Sequence, residues 1–458
     1  MNLFKKKFVL YYKTEPVMEL FYENEITNIT GIGKIYNDEF KPLFLNYCNE
    51  QEKLSKLRLW AQQVRCVPEN RTNLKKSLKI AGVSSTSDLI QKSMGFSITD
   101  NYWYGKNIKS GHLWDKISYH KNKFSTDIGD IFVNGTQTKT SINYFDPSVT
   151  TNGTQNKMWF VSNGKEYLLK ADDQITLKQF YPQAANEIIG ARVAECLQFK
   201  HIDYELCKTK SNNNACICEN FTNENEEYLP LSLFVSNNIQ ENKFETYKKV
   251  ALSLGITENE FQDYVSKFCS LICVVGNADL NMGNFGFLYN KETKTAKLSY
   301  GFDNGNSNGV LYISKTMSEL LENTNMKTSD AFYSVINNMI PQNVYEKTVI
   351  PNTIFGETFS EILQNISNYD FIDIEELKKI PNYAKEVYYN CGIDNKFSEK
   401  LISNLEYSIN QYILYIEQVK THENLLPIDN EKLSIKGDEK NLSIDEKEHT
   451  SSGGEQEL

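Results

Sequence analysis

The chain lacks paired cysteine spacing, long apolar runs and a surplus of positive charge, and each absence removes a class of function. Its nine cysteines are scattered and odd in number. Only Cys216 and Cys218 stand close, and C-x-C alone is not the paired spacing of a zinc site. None of the five histidines lies near a Cys-x-x-Cys, which argues against structural zinc. Free thiols in a reducing cytosol fit this usage. The start, through Phe8 to Tyr12, is too short an apolar run for a signal-peptide core, and charge returns at Lys13 and Glu15. No later stretch approaches the length of a membrane span. The expectation is a soluble, cytoplasmic protein without a membrane partner.

With a formal net charge of −10, the chain as a whole is not steered to nucleic acid, and no direct nucleic-acid binding is expected. One region runs the other way. Lys53, Lys56, Arg58, Arg65, Arg71, Lys75, Lys76 and Lys79 face only Glu52 and Glu69 between positions 52 and 79. Such a run reads as a solvated helix face, or as a local surface for a partner. The last thirty residues hold nine acids against four lysines, a local balance of −5, and read as a disordered acidic tail.

What is present is apolar material for a large core: 40% of the 458 residues are hydrophobic and 12% aromatic, and the length suggests two or three domains. Phe8–Tyr12 and Met18–Tyr22 have strand composition, Leu54–Val64 suggests a helix, and Thr86-Ser-Asp88 could cap another. The aromatic run Asn101-Tyr-Trp-Tyr-Gly105, with Trp114, reads as core or docking surface. From about 141 the texture changes. Met158–Val161 and Glu166–Lys170 are two short strands around Asn163-Gly164, a hairpin signal because both residues tolerate positive φ. Pro182 stands near the start of a helix with Ile188, Ile189, Val193, Cys196 and Leu197 as its apolar positions. Ala215–Phe221 reads as a strand. Thr257 and Glu260 have capping-box spacing and open a helix with a stripe from Phe261 to Val275, stopped by Gly276. Two strands around a polar turn come next, then mainly helix to about Gln418.

The chemistry concentrates in Gly276-Asn-Ala-Asp-Leu-Asn-Met-Gly-Asn284 and in Asp303-Asn-Gly305. Phosphoryl transfer needs a carboxylate near the attacking hydroxyl, and hard oxygen ligands for a magnesium ion that neutralises phosphate charge. Asp279 and Asn284 are five apart on one loop, the spacing of the D-L-x-x-x-N run in protein kinases. A hairpin then returns Asp303 toward that loop. Each loop alone is ordinary turn chemistry; the order of helix, D-x-x-x-x-N loop, hairpin and D-x-G is much more specific. Lys170, ending the second hairpin strand, is the candidate cation for nucleotide phosphates. Glu187 on the next helix, among Ala184, Ala191 and Ala194, is the candidate to fix it by an ion pair, with Glu195 as competitor. The loop Thr150–Lys157 could cover phosphates with its backbone N–H groups, hydroxyls and Lys157, or be a plain polar turn.

Together these residues resemble the HipA family of serine/threonine kinases. The resemblance implies an α+β, bilobal protein-kinase-like fold, with a small β-rich N-lobe over 141–222 and a larger helical C-lobe over 223–420; residues 1–140 read as an N-terminal accessory region and 425–458 as the acidic tail. It implies ATP and Mg2+ as cofactors. Gly153-Thr-Gln155 with Lys157 looks like the family's G-x-Q-x-K phosphate loop, which brings in Thr151, Asn152 and Thr154. Lys170 matches its nucleotide lysine. Cys218-Glu-Asn-Phe221 resembles its hinge, implying adenine contacts around Glu219 and Phe221. Asp279 matches the catalytic aspartate, and Asn284 and Asp303 the metal ligands. Asn281 stands where the family usually has histidine. The position that matches the family's autophosphorylated serine is Thr150. A protein substrate is implied, with a small DNA-binding antitoxin as partner. The run Ala278–Asn284 also resembles the G-D-L-H-P-G-N of aminoglycoside and choline kinases, so a small-molecule phosphotransferase is the second reading. A non-catalytic pseudokinase, acting as scaffold or corepressor, is the third.

Overall fold

Phe8 to Tyr12 are five consecutive apolar residues, and all five are buried. A run of that kind belongs to a strand covered on both faces. In the computed structural model, which describes residues 6–136, 141–175, 179–235, 242–350 and 354–425, it is the heart of an antiparallel sheet. Strands β1 (Lys6–Tyr12), β2 (Glu15–Tyr22), β3 (Ile29–Ile35) and β4 (Tyr102–Gly105) take the order β3-β2-β1-β4. Val9, Tyr11 and Trp103 of this sheet pack with Phe96, Trp114 and Tyr119 into one aromatic core. The aromatic run read from the sequence as core or docking surface is therefore core.

The same core takes in Trp159, with Leu168 packed against it. These belong to a second sheet, of β5 (Lys157–Ser162), β6 (Lys165–Ala171), β7 (Glu205–Lys208) and β8 (Asn214–Glu219), in the order β5-β6-β8-β7. Asn163 and Gly164, at φ 51° and 77°, make the two-residue turn between β5 and β6. The N-terminal region thus shares apolar side chains with the hairpin that carries Lys170. Burying aromatic side chains of this size contributes about 1.5–3 kcal/mol each before the entropy of ordering them is charged.

A third sheet, of β9 (Glu226–Pro230), β10 (Gly286–Asn290) and β11 (Thr295–Leu298), has the order β11-β10-β9. The helix Glu258–Val275 leads to it. Thr257 and Glu260 close its capping box, Phe261, Val265, Phe268, Leu271, Ile272 and Val275 are buried, and Gly276 ends it in the left-handed region. The remainder is helical, including Val310–Asn323, Thr328–Asn338, Ile380–Asn390 and Asn395–Leu425. The class is α+β, as the sequence implies, with small sheets and many helices.

The basic run over 52–79 is not simply a solvated face. The helix Glu50–Leu59 continues into a wider turn over Trp60–Val64. Lys56, Arg65 and Arg71 are buried. Lys56 donates to the Ser232 carbonyl at 3.0 Å, and Arg65 pairs with Asp100 and donates to the Tyr102 carbonyl. Half-buried Arg58 donates to the Ile29 carbonyl at 2.7 Å. Three of these charges thus hold structure together: Arg58 and Arg65 within the N-terminal region, and Lys56 across to the segment after β9.

One compact unit spans Met1–Ile416; Glu417–Leu458 form a second, described as helix as far as Leu425. The acidic tail from 426 onward lies outside the described residues. Among the described residues no helix is long and apolar enough to cross a membrane.

Candidate active site

Lys157 and Lys170 stand directly opposite each other on β5 and β6, so they leave the sheet on the same face. Two ammonium groups in that position repel. The fold answers by neutralising one of them. Lys170, 3% exposed, pairs with Glu187 and with Asp303. Lys157, likewise buried, has no ion pair or hydrogen bond on its ammonium among the described residues. Burial lowers the pKa of Lys157, partly offset by Asp303. Burial would lower Lys170 too, but Asp303 and Glu187 outweigh it and hold it charged. Asp303 is the mirror case: burial raises it, and the ammonium groups of Lys170 and Lys157 bring it well below the carboxylate range.

Glu187 comes from the helix Gln183–Cys196 and is completely buried. Its second oxygen accepts from the Asn304 N–H at 2.8 Å, so one carboxylate locks both Lys170 and the loop carrying Asp303. The competing acid, Glu195, pairs instead with Arg192 toward solvent. The helix must approach the 303–308 loop closely. A Cβ on Gly190 would sit 2.7 Å from the Asn304 side chain, which is why that position is glycine. Asp303 itself has φ 65°, a conformation that aspartate tolerates better than most residues.

Asp279 lies on the loop after Gly276. Asn277 Oδ1 accepts from its N–H at 2.9 Å, and Asn277 Nδ2 donates to the Asp303 carbonyl at 3.2 Å, so one side chain spaces the two loops. Asn284 Nδ2 donates to the Asp279 carbonyl at 3.2 Å. Asn306 Nδ2 donates to Asp279 Oδ2 at 2.8 Å. Asn281 is exposed, and its Oδ1 accepts from the Gly283 N–H at 2.8 Å, shaping the loop.

These groups share one cavity of about 670 Å3, within the range of small-ligand sites. Its lining includes Thr150 to Gln155, Lys157, Lys170, Glu219, Phe221, Asp279, Asn284 and Asp303. Of the candidate site residues, Glu187 is set behind the wall rather than in it. Phe221, Tyr228 and Phe302, in ring contact with one another, give the cavity an aromatic patch. Phe221 stacks on Phe302 there, with ring centroids 5.4 Å apart. The Glu219 side chain turns outward to Lys165. Thr150 is buried, and its hydroxyl donates to the Phe96 carbonyl at 2.7 Å.

Among the described residues no group of three or more His, Cys, Asp or Glu is arranged to hold a metal ion. The donors on offer are the Asp303 carboxylate and the Asn284 amide oxygen, both in the cavity wall. That set suits magnesium, which takes one or two protein oxygens and completes its shell with phosphate and water. It does not suit zinc.

Sequence reasoning missed Asn306 and Gln183, whose Nε2 donates to Asn306 Oδ1 at 3.2 Å. It also missed Arg71, which donates to the 151–153 loop. The only signal for Asn306 was its place three residues after Asp303.

No family model and no curated protein matches the chain. Solved structures similar to it include two at low identity. CtkA, a proinflammatory kinase of Helicobacter pylori, is 17% identical with a TM-score of 0.38, over 60% of this chain and 94% of that one. HipA of a Shewanella oneidensis toxin–antitoxin system, solved with HipB and operator DNA, is 11% identical with a TM-score of 0.41, over 90% of this chain and 99% of that one.

Proposed function

We propose that this chain is an ATP- and magnesium-dependent phosphotransferase of the HipA kind, transferring the γ-phosphate to a serine or threonine hydroxyl of a protein. The observation that carries the reading is convergence. Asp279, Asn284, Asp303, Lys170 and the 150–157 loop come from widely separated parts of the chain and line one cavity.

The aromatic patch of Phe221 and Phe302 suits a nucleobase, and Lys157 and Lys170 suit its phosphates. Asp303 and Asn284 would hold the metal. What bound magnesium supplies is neutralisation of phosphate charge. Lys170 is kept protonated by Glu187 and Asp303 and offers a fixed cation to the phosphate oxygens. Asp279 orients the acceptor hydroxyl and receives its proton on the oxygen that Asn306 leaves free. The acceptor oxygen then bonds to the γ-phosphorus as the bond to the β-bridging oxygen breaks, and ADP leaves. The motif resemblance carries with it the proposal of a small DNA-binding antitoxin as partner.

The test compares wild type with Asp279→Ala and Asp303→Ala, measuring ATP turnover with peptides, aminoglycosides and small alcohols as acceptors. Losing Asp279 should cost orders of magnitude in turnover and largely spare nucleotide binding. Losing Asp303 should weaken metal-dependent binding itself. Unchanged turnover in Asp279→Ala would remove the proposed site. Phosphorylation of the small molecules alone would favour the aminoglycoside- or choline-kinase reading.

A further inference from the structure

Arg71 is 3% exposed and lies in the turn before the helix Leu74–Ile80, far from the phosphate loop in sequence. Its guanidinium has no carboxylate partner among the described residues. Its hydrogen bonds go to backbone carbonyls of that loop: Nε and Nη2 to Gly153 at 2.9 and 2.8 Å, and Nη2 to Thr151 at 2.5 Å. The next residue continues the pattern, Thr72 N–H donating to the Thr154 carbonyl at 3.3 Å. Three carbonyls of one short loop are drawn toward the N-terminal region.

Peptide geometry carries that pull to the other side of the loop. In a planar trans peptide the C=O of one residue and the N–H of the next point in opposite directions. Pinning the carbonyls of Thr151, Gly153 and Thr154 therefore turns the amides of Asn152, Thr154 and Gln155 the other way. None of these three amides has an acceptor among the described residues, and all three residues line the cavity. The amide of Gly153, whose partner carbonyl is not pinned, is satisfied locally by Asn152 Oδ1 at 2.6 Å. Successive free amides in a turn form an anion-binding concavity. The unpaired, buried ammonium of Lys157 sits against the same loop. A Cβ on Gly153, at φ +97°, would lie 2.4 Å from Lys157 Nζ, so the cation is seated where only glycine leaves room.

We propose that Arg71 is a positioning residue for nucleotide phosphates: it holds the loop carbonyls back so that the amides face the anion, building the N-terminal region into the nucleotide site. The role rests on the phosphotransferase reading above and goes beyond it. Arginine suits the task because its planar fork reaches two carbonyls at once, which a lysine point charge does not. Burial pushes the guanidinium down to about 9, which still leaves it charged at neutral pH.

Calorimetry on the full chain with Mg-ATP and with adenosine as probes tests this. Arg71→Lys and Arg71→Met should weaken Mg-ATP binding about tenfold or more and leave adenosine binding unchanged. Wild-type Mg-ATP affinity in both variants, or an equal loss for adenosine, overturns the proposal. Hydrogen exchange on the wild type removes dependence on how the variants fold: Mg-ATP should slow the amides of Asn152, Thr154 and Gln155, and unaltered exchange overturns it. A wild type that binds adenosine and Mg-ATP equally would also overturn it. Failure to bind either probe would instead sink the phosphotransferase reading.

Discussion

Asn306 donates its side-chain amide to Oδ2 of Asp279 at 2.8 Å. Gln183, at 3.2 Å, holds the amide oxygen of Asn306 in turn. One oxygen of the proposed base is thereby fixed and the other is left for an acceptor. Asn306→Ala should lower kcat by about tenfold to a hundredfold while KM for ATP stays near the wild-type value. Asn306→Asp puts a second carboxylate against Asp279. Like charges at that distance favour protonation of one of them, so the acidic limb of the pH–rate profile should move to higher pH. An unmoved profile in Asn306→Asp would mean that the contact does not touch the reacting group.

Lys170 neutralises two carboxylates, Glu187 behind the cavity wall and Asp303 in it. Lys170→Met strands Glu187, which is fully buried, beside Asp303. Breaking a buried pair in this way costs about 3–5 kcal/mol, and denaturant unfolding should register it. The pH dependence has a defined sign. Asp303 is lowered in the folded chain, so its contribution is present above the ordinary carboxylate value and lost as pH falls through its lower folded one. Lys170 is raised, so its contribution is full below 10.5 and lost as pH rises through its higher folded value. The variant should lose stability throughout the plateau between those limits. A loss confined to the extremes of pH would contradict the assignment.

The local chemistry of these elements was legible in the sequence, because it is local. The Thr257 capping box, the Asn163-Gly164 turn, and Lys170 with Glu187 one strand and one helix apart all come from short-range rules. What could not be read was long-range. Nothing in the spacing of Trp159 says that it completes a core begun by Val9 and Tyr11. Arg71 sat in a run of cations, and only the fold shows that its partners are carbonyls some eighty residues away. Asn306 was hidden by its company, since asparagine is common in this chain and is an ordinary turn residue. The order of the strands in the three sheets was equally silent, because it depends on which faces are buried together.

Away from the cavity, Glu227 on β9 is 2% exposed, and neither carboxylate oxygen has a hydrogen-bond donor among the described residues. Lys291 stands 3.9 Å away and donates to the Lys41 carbonyl. Burial pushes the Glu227 carboxyl from 4.5 up to about 7, with Lys291 opposing. A carboxyl raised on folding stabilises fully below its unfolded value and loses that contribution as pH rises through the folded one. The chain should therefore lose on the order of 3 kcal/mol between about pH 4.5 and 7 from this group alone. Glu227→Gln should flatten that part of the stability–pH curve and match or exceed the wild type at pH 8. Denaturation midpoints across the window decide it, and an unaltered slope would refute the assignment.

Thr150 offers the most stringent test of the kinase reading, because its surroundings oppose the autophosphorylation that the motif resemblance implies there. Its hydroxyl is buried and bonded to the Phe96 carbonyl, and Thr151 beside it accepts from Trp159 Nε1 at 2.9 Å. The Thr150 hydroxyl, buried and committed to that carbonyl, cannot meet a γ-phosphate without the 150–154 segment leaving its seat. Autophosphorylation at Thr150 should therefore be slow and limited by that opening rather than by chemistry. Once added, a phosphate carrying close to two negative charges could not return to a slot lined by a backbone carbonyl. The loop would stay out, its amides would no longer face the cavity, and Mg-ATP affinity should fall. Incubation with Mg-ATP and then phosphopeptide mapping should find the modification within 148–154, absent in Thr150→Ala and in Asp279→Ala. Calorimetry on the modified chain should show weakened nucleotide binding. Modification that persists in Asp279→Ala would point to contaminating activity, and none at 148–154 in the wild type would remove Thr150 as a site of autophosphorylation.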